Sequence, residues 1–159
     1  MPVDVGLWYN VTIVTIMTNW LLLHYKLPAK PSALRVSIWR KLKRLGTVLF
    51  QDAAWVLPNT PHTLEQFQWL AAEIVEMGGE AALWDAQPAF SGNEEALVRQ
   101  FLQQVDEPYA GILKQLAKRA TDLEALSHQY QQVRQKDYFH SPVGEQVREA
   151  LLSKRGVVP

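Results

Sequence analysis

The period of the apolar positions changes several times along the chain, and each change marks an element. Trp20-Leu21-Leu22-Leu23-His24-Tyr25 is a nearly continuous apolar run. Such a run predicts a strand buried on both faces rather than one half in water. Leu27-Pro28-Ala29-Lys30-Pro31-Ser32 interrupts it, because proline has no N–H to donate and disfavours helix in the residue before it. Ser32 is the expected N-cap of a helix over 33–45. At about 100° per residue, Leu34, Ile38, Leu42 and Leu45 share one narrow sector of that helix. Gly46 stands where a left-handed glycine ends a helix. Two short strands follow, 47–50 and 54–57, joined through Gln51-Asp52-Ala53.

Thr60 then reads as the cap of a second helix with Pro61 at its first position. Leu64, Phe67, Leu70, Ala71, Ile74 and Val75 recur at helical spacing along it, and Gly78-Gly79 stops it. A last strand is expected over 80–87, before Pro88. The order β-α-β-β-α-β predicts an α+β fold of the ferredoxin-like, split βαβ kind over 19–88. Residues 89–159 are expected to be a helical extension, with one segment over 94–105 and a break at Pro108. Tyr109, Leu113, Leu116, Ala120, Leu123 and Tyr130 then repeat at heptad-like spacing, which predicts one long helix. That stripe is expected either to pack on the chain's own sheet domain or to form a dimer seam. Residues 1–18 read as a leader or a mis-called start, since Met17 is a natural alternative beginning. An added edge strand over 11–16 and a membrane anchor are the other readings of that stretch.

Charge changes this picture. The chain is neutral overall, with 16 Lys and Arg against 16 Asp and Glu. From Val5 to Gln51, however, there are seven bases and no acid, whereas 52–107 carry ten acids and only Arg99. A merely solvated helix usually mixes its signs, because neighbouring Glu–Lys pairs stabilise it. On the first helix Arg40, Lys43 and Arg44 lie away from the apolar stripe, and Arg35 and Lys41 flank it. Such a face suits phosphates, or is a solvated face neutralised by the acidic half of the same protein, or of a second copy or partner. Beyond Trp20, four tryptophans lie within the predicted domain: Trp39, Trp55 and Trp84 are expected in the core, and Trp69 on the surface.

Catalytic patterns are missing. With no cysteine there are no thiolate metal sites and no cysteine nucleophile. There is no phosphate-binding glycine loop, no nucleophile elbow and no metalloprotease histidine pair. His24, His62, His128 and His140 are scattered, so no metal, cofactor or enzymatic activity is expected.

Arg35-Val36-Ser37-Ile38-Trp39-Arg40-Lys41-Leu42-Lys43-Arg44-Leu45-Gly46, with Leu49-Phe50-Gln51-Asp52-Ala53-Ala54-Trp55-Val56-Leu57-Pro58, resembles the N-terminal domain of the ChrB chromate-resistance regulators. Trp20-Leu21-Leu22-Leu23, Leu27-Pro28, Gly78-Gly79 and the late Asp137-Tyr138-Phe139 fit the same family, so the resemblance covers about 19–155. It departs at Ala53, where the family usually has Gly. The chain also ends where full-length members continue into a second, chromate-sensing domain. The resemblance implies a regulator of chromate resistance that binds DNA, with Arg35, Arg40, Lys41, Lys43 and Arg44 on the nucleic-acid face; a cytoplasmic homodimer is expected. It also implies a separate chromate-sensing protein as a possible partner, and no membrane. The split βαβ layout is similar, too, to CRISPR-associated nucleases of ferredoxin-like fold. Those hold metal through an Asp after the first strand, where this chain has His24-Tyr25-Lys26, and Lys cannot replace a hard oxygen ligand. A non-enzymatic interaction or dimerisation module without DNA binding is the alternative reading.

Overall fold

The computed structural model describes residues 19–90 and 92–156, so the reading of 1–18 lies outside the described residues. The chain forms two compact units, Met1–Val98 and Arg99–Pro159. The first holds strand β1 (Trp20–Lys26), helix α1 (Ser32–Leu45), β2 (Val48–Phe50), β3 (Ala54–Pro58), α2 (Pro61–Glu76) and β4 (Glu80–Ala86). Helix α3 (Asn93–Leu116) begins in this unit and continues into the second, where α4 (Leu123–Arg134) and α5 (Pro142–Lys154) follow. The fold is therefore mixed α+β.

The four strands make one antiparallel sheet in the order β2-β3-β1-β4. Leu21 is paired with Leu57, and Leu23 with Trp55 and Leu83. Directly paired residues point to the same side of a sheet. Leu21, Leu23 and Leu57 are wholly buried, and Trp20, on the opposite side of β1, is buried as well. The first half of β1 is thus buried on both faces, whereas His24 and Lys26 at its far end are exposed. The Trp20 indole Nε1 donates to Glu94 Oε1 at 3.3 Å.

Helix α1 starts one residue earlier than its sequence suggests. Pro31 is the N-cap, without a side-chain hydrogen bond, and Ser32 lies inside the helix. At the other end Gly46 is left-handed, with φ 73°, and its N–H reaches the carbonyls of Leu42 and Lys43. Thr47 follows buried, its Oγ1 donating to the Leu42 carbonyl at 2.9 Å. Helix α2 is capped as expected. Thr60 accepts from the Thr63 N–H, Thr63 Oγ1 accepts from the Thr60 N–H, and Pro61 opens the helix. Between β2 and β3, Gln51 and Asp52 both have positive φ, and the Ala53 N–H donates to the Phe50 carbonyl at 3.1 Å. Two successive positive φ values give the turn whose twist matches a hairpin.

The second unit departs from expectation twice. Pro108 does not end its helix but lies inside α3. A mid-helix proline costs about 3 kcal/mol. Val105 and Tyr109, buried on either side of it, each contribute roughly 1.5–3 kcal/mol of burial and hold both halves in one core. Conversely, the single long helix is broken between Leu116 and Leu123. Asp122 caps the new helix, accepting from Glu124 and Ala125 N–H at 3.1 and 3.0 Å. The heptad residues Tyr109, Leu116 and Tyr130 are buried together with Leu126, Val147 and Leu151, inside this unit's own helical core.

The cap is directly testable. Asp122→Ala leaves those two N–H groups without the carboxylate and should destabilise the helical unit by about 1 kcal/mol, measured by urea unfolding. A change near zero would show that the cap does not hold α4.

Candidate nucleic-acid interface

The rotation of α1 decides which cations face outward. Ile38 and Leu42 are wholly buried, so the opposite side of the helix faces water. Arg35, Arg40, Lys43 and Arg44 are exposed there and along its edges, and among the described residues none of them forms an ion pair. Lys41 differs. Its ammonium is paired with the Glu73 carboxylate on α2, which draws it toward that helix. The five predicted residues therefore sort into four outward cations and one tied to the protein's own acid. The pair is part-buried, and its consequence here is the direction in which Lys41 points.

Aromatic side chains adjoin these cations, which the sequence reading missed. Trp39, expected in the core, is 50% exposed on α1. Trp84, likewise expected in the core, is 60% exposed on β4, whose alternate residues face water along this stretch. Trp69 is exposed on α2 as expected, and Trp55 is half-buried. Lys43 Nζ lies 5.8 Å from the ring centre of Trp39 and 5.7 Å from that of Trp55, within the reach of cation–π attraction. One cation thus links α1 to β3 through two indoles. Next to them Tyr25 is partly withdrawn from water. Desolvation raises its phenol pKa, and hydrogen bonding with the Trp55 side chain offsets part of that rise. Between the end of β1 and α1 opens a groove of about 530 Å³, lined by Tyr25, Lys26, Leu27, Arg35, Val36 and Trp39. A periodicity count could have exposed Trp39, which lies outside the sector of Leu34, Ile38, Leu42 and Leu45.

The late acidic-aromatic motif has a structural part to play in the helical unit. Asp137 accepts from the Tyr109 hydroxyl at 3.1 Å and from the Ser141 N–H at 3.0 Å. Ser141 in turn caps α5 and donates its hydroxyl to Asp106. Tyr138 and Phe139 meet the buried Phe101 ring edge-on, with centroids at 6.1 and 5.5 Å. Gly144 is needed beside them, since a Cβ there would lie 2.6 Å from the Tyr109 ring. Among the described residues no group of three or more His, Asp or Glu could hold a metal ion, and no helix is long and apolar enough to cross a membrane.

A family model described as Protein ChrB, N-terminal, matches residues 35–126. Protein ChrB of Cupriavidus metallidurans is 32% identical over 106 residues. That match covers 67% of this chain and 32% of the relative, so the chain spans about a third of the relative's length. No solved structure matches the chain.

Burial of the motif has a consequence at high pH. Desolvation pushes the Tyr138 phenol from its ordinary 10.0 up to about 12. Burial, then the nearby Asp137 carboxylate, raises that of Tyr109 in the same direction. A raised folded-state pKa contributes stability that is complete below the unfolded value and lost as the pH climbs through the folded one. Stability should therefore fall between pH 10 and about 12, and Tyr138→Phe should make that fall shallower in pH-dependent unfolding. An equally steep fall in the variant would contradict this.

Proposed function

The chain belongs to the family of the Protein ChrB N-terminal domain, and from that premise we propose that it is a non-enzymatic regulatory domain of chromate resistance that binds DNA through α1. The observation that carries this reading is the outer face of α1. Arg40, Lys43 and Arg44 lie there exposed, without a carboxylate partner among the described residues, in a stretch that has no acid from Val5 to Gln51. Unpaired cations at this density attract a polyanion, chiefly by releasing its counterions. The β2-β3-β1-β4 order supports reading the first unit as a ferredoxin-like domain, with α1 as the helix after its first strand.

On this reading Arg40 and Arg44, one turn apart, hold phosphates, Lys43 contributes beside them on the outer face, and Arg35 at the edge. Lys41 contributes little, being held by Glu73. We propose further that the protein acts in the cytoplasm as a homodimer, and that chromate is sensed elsewhere than in these two units. The self-association reading rests on a different observation, the exposed Trp69 and Trp84 in the acidic part of the chain.

Arg40→Glu with Arg44→Glu tests the proposal. The double variant should keep its fold, because both side chains are exposed, and should lose retention of duplex DNA in a gel-shift at low salt. For the parent, each phosphate contact adds about 0.9 to the slope of log affinity against log salt, and the loss of two should lower it by about 1.8. Unchanged binding and slope would remove α1 from the interface.

A further inference from the structure

The groove beside α1 carries an inference that rests on the nucleic-acid reading and goes further. We propose that the groove between β1 and α1 receives an unpaired base, stacked on Trp39, so that the preferred ligand is single-stranded nucleic acid rather than closed duplex.

Four observations converge on this. First, Trp39 is half exposed on α1, a helix that carries five Lys or Arg and no acid, although the same helix buries Ile38 and Leu42 completely. Its indole is thus left at the surface beside cations and is not used to fill the core. Second, the groove it lines is mixed in the way a nucleotide requires. Tyr25, Leu27, Val36 and Trp39 supply apolar and aromatic surface, Lys26 and Arg35 stand among them, and no acid among the described residues lines it. Third, Lys43 lies 5.8 Å from the Trp39 ring centre, so a positive charge sits next to the place where a stacked base would bring its phosphate. Fourth, the other exposed indoles lack this setting. Trp84 lies on β4, a strand with no Lys or Arg, and Trp69 lies on a helix that carries Glu65, Glu73 and Glu76 and no Lys or Arg. Of the three exposed tryptophans among the described residues, only Trp39 combines a ring with local positive charge.

Closed duplex cannot use such a site, because its ring faces are covered by neighbouring pairs. An unpaired base presents its face freely, and aromatic stacking of bases tolerates any sequence. The groove, at about 530 Å³, is within the size range of small-ligand pockets and has room for one base. The outer cations Arg40 and Arg44 would follow the backbone of either form of nucleic acid, whereas Trp39 discriminates between them.

Fluorescence anisotropy with the full chain separates these parts. The probes are a labelled oligothymidylate of about 10 nucleotides and a duplex with the same number of phosphates. The parent should bind the single strand about tenfold or more tightly than the duplex. Trp39→Leu should weaken single-strand binding about tenfold and leave duplex binding and both salt slopes unchanged. Trp39→Tyr should recover most of the loss, which a merely structural effect of the leucine would not allow. Trp84→Leu should change neither ligand. If Trp39→Leu binds the single strand like the parent, the stacking site is overturned while duplex binding by α1 stands. If neither ligand binds the parent, the nucleic-acid reading fails and the stacking site with it. Tight capture of a protein on this groove in place of either oligonucleotide would also overturn it.

Discussion

The burial of Ile38 and Leu42 fixes how α1 is rotated, and nearly everything proposed for this chain follows from that rotation. Both side chains are wholly withdrawn from water, each worth roughly 1.5–3 kcal/mol. Turning the helix by one residue would expose one of them and bury a charge, and a buried unpaired charge costs far more than a lost methyl contact. The helix therefore holds one orientation. Arg40, Lys43 and Arg44 face water as a consequence of what the stripe buries, and Gly46 and Thr47 end the helix so that β2 can begin directly after it.

Local charge then divides the face. Lys41 lies on the side of α1 that meets α2, and Glu73 is there to receive it. Arg35 and Trp39 lie on the other side, where the end of β1 brings Tyr25. Lys43 stands between two indoles on different elements, so the same cation that could meet a phosphate also fixes the aromatic surroundings of the groove. The acid-free stretch is thus not a uniform patch. It has a paired edge, an outward row and an aromatic edge, and each has a different chemistry.

Much of this was legible in the residues. The stripe of Leu34, Ile38, Leu42 and Leu45, the stop at Gly46, the Thr60–Pro61 start and the strand order along the chain are local signals, and local hydrogen bonding and periodicity enforce them. What was not legible depends on contacts distant in sequence. Glu73 is 32 residues from Lys41, and no spacing rule pairs them. Residue type alone points Trp39 and Trp84 to the core, whereas their positions on α1 and β4 face outward. Pro108 was read as a break because its local cost is known, while the burial of Val105 and Tyr109 that offsets it belongs to the folded helical unit. Asp122 was the reverse case, a readable cap overlooked because a heptad-like spacing ran through it.

Lysine reactivity reads the division of the α1 face most directly. Lys41 and Lys43 lie two residues apart on one helix, Lys43 exposed and the Lys41 side chain 41% exposed, so an amine-specific reagent followed by peptide mass analysis can report on each. With saturating oligonucleotide present, Lys43 should be protected from labelling while Lys41, held by Glu73 on the other side, keeps its rate. Equal protection of both lysines, or protection of neither, would contradict the account.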